Sequence, residues 1–407
     1  MVGLNRVMGV GAAAALLGGC FLDIDFKDTA FLCETDPTCP DGYSCVDGRC
    51  VEGGGGGGSD GGGSVDDPDG APVADLAFRR QLTFDNTGRE ALADFPLMVR
   101  LDSTRIEFDA VRDDGGDIQF RDADGTTLPH EIEGFGAEDQ VAVLWVRVPA
   151  IDAGSTDDHI FMYYGNPDVV VEQNAAAVWA DYRAVYHLNP QGIGAVEDST
   201  AQGFDGTAIG ATGAEGRVGR AYEFNGTDQY LDLGADRAFI SGVAGVTAEA
   251  WVAPGTLITP GIALGISING ADSSRLQLRL SIDRIPNAGA RTADGGDLLQ
   301  LDGLAVPAGE WTWVVAALDF AGDAITIYQN GAQAAAATAV GFAPATPDTT
   351  SNVATIGVDE NKTSNFWLGR LDEMRVSAGP GPSPDRIAAQ YASMTDVLVS
   401  FGPAEAQ

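Results

Sequence analysis

Four cysteines near the amino terminus show the clearest chemical spacing in the chain, Cys33-x5-Cys39-x5-Cys45-x4-Cys50. The sequence around them is rich in turn residues and contains two Asp-Gly pairs. A segment this short cannot bury a core of its own, so covalent links must hold it. We predict two disulfides, and the sequence does not choose among the three possible pairings. A zinc site is disfavoured because the spacing is not CxxC.

Histidines and paired carboxyl groups are the candidates for acid–base chemistry in this sequence. Three histidines occur and do not cluster in the sequence: His130, His159 and His187. This pattern disfavours a Ser-His-Asp triad or a histidine-based zinc centre. Glu131 and Glu133 alternate on a predicted strand and share one face, which we interpret as exposed because nothing nearby partners them. Asp372 and Glu373 are adjacent, so we expect their side chains on opposite sides of a strand. Retaining glycoside hydrolysis needs two carboxyl groups close together at the scissile bond, and we therefore predict that the protein is not an enzyme.

The fifth cysteine, Cys20, follows a stretch typical of an export signal. Residues 1–19 contain one Arg, then an apolar run from Val7 to Leu17, then two glycines. Leu17-Gly18-Gly19-Cys20 resembles the lipobox of bacterial lipoproteins. That resemblance implies cleavage before Cys20, acylation of this residue and anchoring in a lipid bilayer. Phe21 after the cysteine implies, by the sorting rule of enteric bacteria, an outer-membrane lipoprotein of the cell envelope, with the folded part exposed at the surface.

Composition and charge restrict the partners of the chain. Its 407 residues carry a formal net charge of −36, which argues against nucleic acid as a partner because that role needs a cationic surface.

Residues 20–51 are predicted to form the lipidated, disulfide-bonded segment, which resembles the short EGF-like knots of bacterial surface lipoproteins. Residues 52–74 are rich in Gly and Asp and are predicted to form a flexible linker.

Residues 75–170 show short runs of period two separated by turn residues. In the run 141–148 both faces are apolar, which predicts a central strand. We therefore predict an antiparallel β-sandwich. Five motifs in this segment occur in the order found in an uncharacterised bacterial extracellular domain family, and the segment resembles that family: Arg80-Gln81-Leu82-Thr83-Phe84, Asp117-Ile118-Gln119-Phe120, Asp124-Gly125, Pro129-His130-Glu131-Ile132-Glu133 and Tyr163-Tyr164-Gly165-Asn166-Pro167. The resemblance implies no activity.

A connector, residues 171–182, leads into a second run of strands over residues 183–402. Leu276, Leu278 and Leu280 alternate with polar residues, and Asn330-Gly331 predicts a hairpin with a type I′ turn. One helix is predicted near the end, with Ser383 as its N-cap. The chain is therefore predicted to be all-β, with two antiparallel β-sandwiches, the second a large jelly roll.

The second segment also carries ordered motifs: Val185-Tyr186-His187-Leu188, Asp198-Ser199-Thr200, Phe224-Asn225-Gly226, Ala250-Trp251-Val252, Gly309-Glu310-Trp311, Tyr328-Gln329-Asn330-Gly331 and Gly369-Arg370-Leu371-Asp372-Glu373-Met374-Arg375-Val376. In this order they resemble laminin-G-like, concanavalin A-like domains. The resemblance implies a jelly roll that binds glycans or glycoproteins, often with a structural calcium.

Site residues follow from this resemblance. Calcium is expected at Asp372, which would share a core face with Met374 and Val376, and at Asp198. Trp367 and Tyr230 lie near predicted loops and are candidates for ligand binding. Together these features predict a surface-anchored lipoprotein that binds carbohydrate or glycoprotein without catalysis. Two alternatives stay open, an envelope protein with a structural or protein-interaction role, and a polysaccharide-active hydrolase or lyase.

Overall fold

The computed structural model describes residues 43–46, 49–52, 75–190, 194–235, 237–256, 260–267, 274–292, 296–346 and 353–407. The predicted signal peptide, Cys20, Cys33, Cys39 and nearly all of the predicted linker lie outside these residues. The chain divides into two compact units, Met1–Val65 and Asp66–Gln407. Among the described residues, no helix is long and apolar enough to cross a membrane.

The first unit contains a two-stranded antiparallel hairpin made of β1 (Tyr43–Val46) and β2 (Arg49–Glu52). Its backbone register places Cys45 directly opposite Cys50. The predicted disulfides themselves stay a prediction.

The second unit begins with a small β-sandwich. Its strands are β3 (Phe78–Phe84), β4 (Leu92–Asp102), β5 (Gln119–Asp122), β6 (Thr127–Leu128), β7 (His130–Gly136), β8 (Val141–Ile151) and β9 (His159–Tyr164). One sheet has the order β4-β8-β7, so β8 is central, as its two apolar faces predict. Leu144, Val146 and Val148 face the core of this sandwich, while Val143 and Trp145 belong to a separate apolar cluster.

A short helix, α1 (Ala175–Val178), leads into the larger jelly roll. The jelly roll is built from β10 (Tyr182–Tyr186), β11 (Ala195–Val196), β12 (Gly206–Ile209), β13 (Thr212–Glu215), β14 (Arg220–Asn225), β15 (Tyr230–Asp232), β16 (Gly245–Pro254), β17 (Gly261–Ser267), β18 (Ser274–Leu280), β19 (Pro286–Ala290), β20 (Leu299–Asp302), β21 (Thr312–Asp319), β22 (Ala324–Gln329), β23 (Ala332–Thr338), β24 (Val353–Ile356) and β25 (Leu368–Ala378).

Two antiparallel sheets of eight strands face each other in the jelly roll. One has the order β13-β14-β25-β16-β21-β22-β23, with β10 also paired to β25. The other has the order β11-β12-β15-β24-β17-β18-β19-β20. Leu276, Leu278 and Leu280 on β18 are buried in the core between the sheets, as their alternation predicts. Asn330 and Gly331 both have positive φ, 50° and 81°, which confirms the type I′ turn between β22 and β23.

The carboxyl-terminal elements do not belong to the jelly roll, which corrects the predicted boundary at residue 402. After α2 (Pro384–Met394), β26 (Val399–Phe401) and β27 (Glu405–Ala406) pair with β3 of the small sandwich. Leu398 is buried in the core of that sandwich. A short strand has the same alternation whichever sheet it joins, so the sequence pattern could not assign these strands to the first domain.

The two sandwiches meet across an apolar layer. It combines Trp145 of β8, Trp179 after α1, Trp251 and Trp313 of the jelly roll and residues of α2 such as Ile387. Trp251 and Trp313 are therefore buried in this layer, with their rings against Tyr391 of α2, rather than inside the jelly-roll core. Ser383 caps α2 by accepting a hydrogen bond from the Arg386 N–H at 3.1 Å, which confirms the predicted N-cap.

Candidate functional site

Charged side chains from both sandwiches meet beside this apolar layer. β7 supplies two glutamates, the residue after β10 is a histidine, and β25 supplies two acids and an arginine. We call these residues the interface cluster: Glu131, Glu133, His187, Asp372, Glu373 and Arg375. Five of them are less than 10% exposed, and the side chain of Glu131 is 13% exposed. Buried charges of this kind must be paired, protonated or bound to a cation.

A β-bulge on β25 decides which way its charged residues point. Trp251 pairs with Asp372 and Glu249 pairs with Arg375, so β25 contains one more residue than β16 between these two pairs. Glu373 has a φ of +51°, a left-handed backbone that is uncommon outside glycine. The bulge interrupts the alternation of sides along the strand. Asp372 and Glu373 are therefore both available to the interface cluster.

This bulge corrects the expectation that Asp372 shares a core face with Met374 and Val376. Leu371, Met374 and Val376 belong to the jelly-roll core. Asp372 instead accepts hydrogen bonds from the backbone N–H groups of Arg217 and Val218, at 2.7 and 2.8 Å. The expectation that Asp372 and Glu373 lie on opposite sides of a regular strand is wrong for the same reason.

His187 lies at the centre of the cluster. Its Nδ1 atom is 2.8 Å from Oε1 of Glu373 and 3.6 Å from Oε2 of Glu133. Its Nε2 atom is 3.2 Å from Oε2 of Glu131. The ring also stacks on Trp145, with centroids 5.8 Å apart and an interplanar angle of 21°. The imidazole is therefore held in one orientation by glutamates from both sandwiches.

Indole and hydroxyl groups hold the two glutamates of β7. Trp145 donates its Nε1–H to Oε2 of Glu133 at 2.8 Å. Glu131 accepts from the Trp179 Nε1–H and from the Ser199 hydroxyl, the latter at 2.6 Å. These contacts correct the interpretation of Glu131 and Glu133 as an exposed strand face. The alternation correctly placed them on one face, but Glu131 meets Trp179 and Ser199, which lie 48 and 68 positions away.

Arg375 completes the cluster on the jelly-roll side. Its Nε donates to Oε2 of Glu373 at 3.0 Å, and its guanidinium lies over the rings of Trp145 and Trp179 at 4.3 and 4.7 Å. A guanidinium over an indole face is attracted by the ring quadrupole, and this attraction is stronger when water is excluded. Arg375 therefore links β25 of the jelly roll to aromatic residues of the first sandwich and of the connector.

The loop between β13 and β14 approaches the cluster closely through two glycines. A Cβ on Gly219, whose φ is +60°, would lie 2.4 Å from Oε1 of Glu133, and a Cβ on Gly216 would lie 2.7 Å from Oδ2 of Asp372. A side chain at either position would displace a carboxyl group. Glycine is therefore required for this loop to cover the cluster.

Burial and mutual charge shift the pKa values in opposite directions. Burial alone lowers the pKa of His187, but the carboxylates of Glu373 and Glu131 outweigh it and raise that pKa well above its usual range. Burial alone raises the pKa of Glu373, but the positive charges of His187 and Arg375 outweigh it and lower that pKa. The pKa of Glu131 is lowered in the same way, mainly by His187 acting against burial.

The pKa values of two acids of the cluster, Glu133 and Asp372, are raised instead of lowered. Burial, followed by the nearby charge of Glu373, raises the pKa of Glu133 well above its usual range. The same two causes raise the pKa of Asp372. The cations His187 and Arg375 thus balance two carboxylates, and the remaining two acids favour the protonated form unless a further cation is present.

A cleft of about 320 Å3 opens beside the cluster. Glu131, Glu133 and His187 line it from within, and the outer lining includes Asp114, Gln173, Asn189, Glu197 and Tyr222. Both sandwiches contribute to its walls. A concave polar site where two domains meet is a common location for ligand binding.

One set of side chains in the cluster has the donor atoms to hold a metal ion. Glu133, His187 and Glu373 each offer one ligand atom, and these atoms all lie within 4.8 Å of one another. All three residues are buried. An imidazole nitrogen with two carboxylate oxygens suits a divalent transition ion.

The two residues predicted to bind a ligand, Trp367 and Tyr230, differ in their exposure. Trp367 is 0% exposed and lies in the jelly-roll core, so the prediction of a ligand-binding tryptophan here is wrong. The residue precedes β25, and its ring is inserted between the sheets rather than displayed from the loop. Tyr230 is half-buried at the start of β15, with its ring 6.4 Å from that of Phe366. Its role in binding stays a prediction.

The carboxylate of Asp198 accepts four hydrogen bonds from protein groups. Its Oδ1 accepts from the N–H groups of Val185 and Thr200, at 2.9 and 3.1 Å. Its Oδ2 accepts from the Thr200 hydroxyl and the Phe204 N–H, both at 2.9 Å. The carboxylate therefore fixes the loop that follows β11, and calcium at this residue stays a prediction.

Sequence reasoning missed the interface cluster as a site. Its members occur within three motifs that were noted separately, around Glu131, His187 and Glu373. The signal was the presence of charged residues inside otherwise apolar strand motifs. A residue-by-residue interpretation could not connect them, because contacting members such as His187 and Glu373 are 186 positions apart.

Two family models match parts of the chain. Residues 225–381 match a family described as the concanavalin A-like lectin/glucanases superfamily. Residues 114–190 match a domain of unknown function, DUF2341. No curated protein matches the sequence.

Three solved structures are similar to parts of this chain. Domain 4 of AbnA, an extracellular arabinanase from Geobacillus stearothermophilus solved with arabinotriose, is 20% identical, with 54% of this chain and 98% of that chain covered and a TM-score of 0.38. The SAP-like pentraxin of Limulus polyphemus is 14% identical, with 45% and 92% covered and a TM-score of 0.34. The CBM40 of the Ruminococcus gnavus IT-sialidase, bound to α2,3-sialyllactose, is 16% identical, with 42% and 96% covered and a TM-score of 0.36.

All six residues of the interface cluster lie within the two matched segments. Glu131, Glu133 and His187 lie within residues 114–190, and Asp372, Glu373 and Arg375 lie within residues 225–381. The chain is thus similar to DUF2341 over residues 114–190 and to the concanavalin A-like superfamily over residues 225–381.

Proposed function

We propose that this protein is a surface-anchored lipoprotein of the cell envelope that binds carbohydrate, free or on a glycoprotein, without catalysis. The observation that carries the proposal is the polar cleft of about 320 Å3 to which both sandwiches contribute. The match of residues 225–381 to a lectin/glucanase superfamily supports carbohydrate as the ligand class. Cys20, at the predicted lipobox, would supply the membrane anchor.

The lining of the cleft favours neutral sugars. Glu131 and Glu197 both line it, and the whole chain carries a net charge of −36. Carboxylates accept hydrogen bonds from sugar hydroxyls but repel uronates and sialic acids. Asn189 adds an amide oxygen without a hydrogen-bond partner among the described residues, which can accept from a further hydroxyl.

A non-catalytic role is supported by how the carboxylates are engaged. Glu133 and Glu373 are 7% and 0% exposed, and their oxygens accept hydrogen bonds from Trp145 and Arg375. Glycoside hydrolysis needs two carboxyl groups that reach the scissile bond from opposite sides. In this arrangement the buried glutamates bind protein groups instead.

A glycan array with the full chain purified in mild detergent tests the proposal. The informative variant is Glu197→Gln, which changes an exposed lining residue of the cleft, and the matched control is Glu310→Gln, an exposed glutamate outside the cleft lining. We expect binding to neutral oligosaccharides that Glu197→Gln weakens about tenfold and Glu310→Gln leaves unchanged.

Three outcomes would contradict parts of this proposal. Failure to bind across diverse neutral and charged glycans, with and without calcium, would exclude the carbohydrate ligand. Unchanged binding by Glu197→Gln would exclude the cleft as the site. Shortened oligosaccharides after incubation would show an enzyme. Capture of an envelope protein by crosslinking, together with a negative array, would support the protein-interaction alternative.

A further inference from the structure

The donor atoms of Glu133, His187 and Glu373 lie within 4.8 Å of one another, close to the separations of ligands around one ion. His187 Nδ1 lies 2.8 Å from Glu373 Oε1 and 3.6 Å from Glu133 Oε2. Two ligands at about 2.1 Å from a common ion lie roughly 3.0–3.4 Å apart at octahedral or tetrahedral angles. One measured separation is slightly shorter and the other slightly longer than this range, so small side-chain rotations would bring the donor atoms to a common ion.

The surroundings resemble the outer shell of a metal site. The second nitrogen of His187, Nε2, faces Glu131, which is itself held by Trp179 and Ser199. A carboxylate behind a histidine orients the ring and increases the basicity of the nitrogen that binds the metal. Glu373 uses Oε2 for Arg375 and directs Oε1 toward His187. Its two oxygens thus have separate partners.

The charge balance of the cluster also calls for a cation. Four carboxyl groups face two positively charged side chains, and Asp372 Oδ1 is buried with no hydrogen-bond partner among the described residues. A divalent ion and the Arg375 guanidinium together would carry three positive charges. With a neutral imidazole at His187 they offset three of the four carboxyl groups, whereas the two charged side chains alone offset only two.

We propose that Glu133, His187 and Glu373 bind one divalent transition ion, such as Zn2+ or Mn2+, at the contact between the two sandwiches. The nitrogen ligand selects against calcium, which takes oxygen ligands. Glu133 and His187 line the cleft, so an ion has a path from solvent and a water molecule can occupy an open position. The ion would join ligands from both domains and fix their relative orientation.

Metal analysis of the full chain tests this proposal. The protein is purified without chelator for elemental analysis, and then stripped and titrated with Zn2+, Mn2+ and Ca2+ separately. We expect stoichiometric binding of a transition ion. Cobalt substitution should give visible d–d absorption, and it should quench the fluorescence of Trp145 and Trp179, which contact the cluster.

Three variants distinguish ligands from bystanders. Glu133→Gln keeps the shape of the side chain and should abolish cobalt absorption, and Glu131→Gln should weaken binding by about tenfold to a hundredfold as an outer-shell residue. Glu223→Gln, an exposed residue of β14, is the matched control. Circular dichroism and a thermal melt of each variant establish that it is folded before its binding is compared.

Several results would overturn the proposal. Absence of a bound ion together with no Zn2+ or Mn2+ binding by folded wild-type protein would show that the cluster is a network of ion pairs alone. Unchanged binding by folded Glu133→Gln and His187→Gln would place the ion elsewhere. Binding of Ca2+ with no transition ion would favour the sequence-based expectation at Asp372 and Asp198. Glycan binding is a separate measurement, so its failure leaves these results unaffected.

Discussion

The Nδ1 atom of His187 lies 2.8 Å from the Oε1 atom of Glu373, a residue 186 positions later in the chain. His187 immediately follows β10, which pairs with β25, and Glu373 is the extra residue of the bulge on β25. The pair therefore depends on a left-handed backbone conformation at a glutamate. Backbone strain of this kind persists where the surrounding structure holds it in place, and it occurs often at functional sites.

Removing the charge of Glu373 should destabilise the fold. Glu373→Gln leaves Arg375 and His187 buried without their shared carboxylate, and loss of one partner from a buried ion pair costs about 3–5 kcal/mol. We expect a fall of this order in the free energy of unfolding, measured by urea titration followed by fluorescence. Glu223→Gln, at an exposed position of β14, should change the free energy of unfolding by less than about 0.5 kcal/mol. Equal stability of the two variants would show that the ion pair contributes nothing.

The carboxyl-terminal segment should stabilise the first sandwich through Leu398. This residue is 1% exposed in the core of that sandwich, and its neighbour Val397 is 67% exposed. We expect Leu398→Ala to lower the free energy of unfolding by about 2–4 kcal/mol, because it leaves a cavity. Val397→Ala is the control and should have little effect. Hydrogen exchange should show faster exchange in β3 for Leu398→Ala, and unchanged exchange there would contradict the pairing of β26 with β3.

His130 should make the protein sensitive to acid. Burial lowers its pKa from 6.5 to about 4. Between these values the unfolded chain binds the proton and the folded chain does not, so stability is lost as the pH falls from 6.5 toward 4. The loss attributable to this residue is at most about 3 kcal/mol.

The variant His130→Gln cannot take up this proton. We expect its free energy of unfolding to change less between pH 7 and pH 4.5 than that of the wild type, as measured by urea titration at each pH. His159→Gln, at a partly exposed position, serves as the control. An identical pH dependence in wild type and His130→Gln would exclude this histidine as a source of acid sensitivity.

Cys20 should determine membrane association. Cys20→Ser removes the thiol that a lipobox requires, so we expect uncleaved or soluble protein instead of a lipidated form. Fractionation of cells and mass spectrometry of the amino-terminal peptide measure both effects. Membrane association that survives the substitution would show that the lipobox interpretation is wrong.

The four cysteines at positions 33, 39, 45 and 50 should all be oxidised. Alkylation of the unreduced protein, followed by peptide mass spectrometry, should label none of them. The backbone register of β1 and β2 makes Cys45 and Cys50 the first pair to examine. Labelling of two or more of these residues would reject the prediction of two disulfides.

Local patterns determined the class of the fold. The alternation of Leu276, Leu278 and Leu280 on β18 predicted a half-buried strand, and Asn330-Gly331 predicted a type I′ turn, because both features depend on neighbouring residues alone. The two apolar faces of β8 likewise predicted its central position. Strand alternation and turn type depend on a few neighbouring residues, so both can be predicted from the sequence alone.

Tertiary structure decided what the sequence pattern left open. A short strand such as Val399–Phe401 fits either sandwich, and only long-range pairing with β3 assigns it to the first. The ring of Trp367 is buried because of what packs around it. The exposure of Glu131 depended on partners more than 45 positions away, Trp179 and His187. The bulge at Glu373 needs the register of two neighbouring strands. Alternation along one strand states which side chains share a face, but the opposite surface determines whether that face meets water, a core or a cluster of charges.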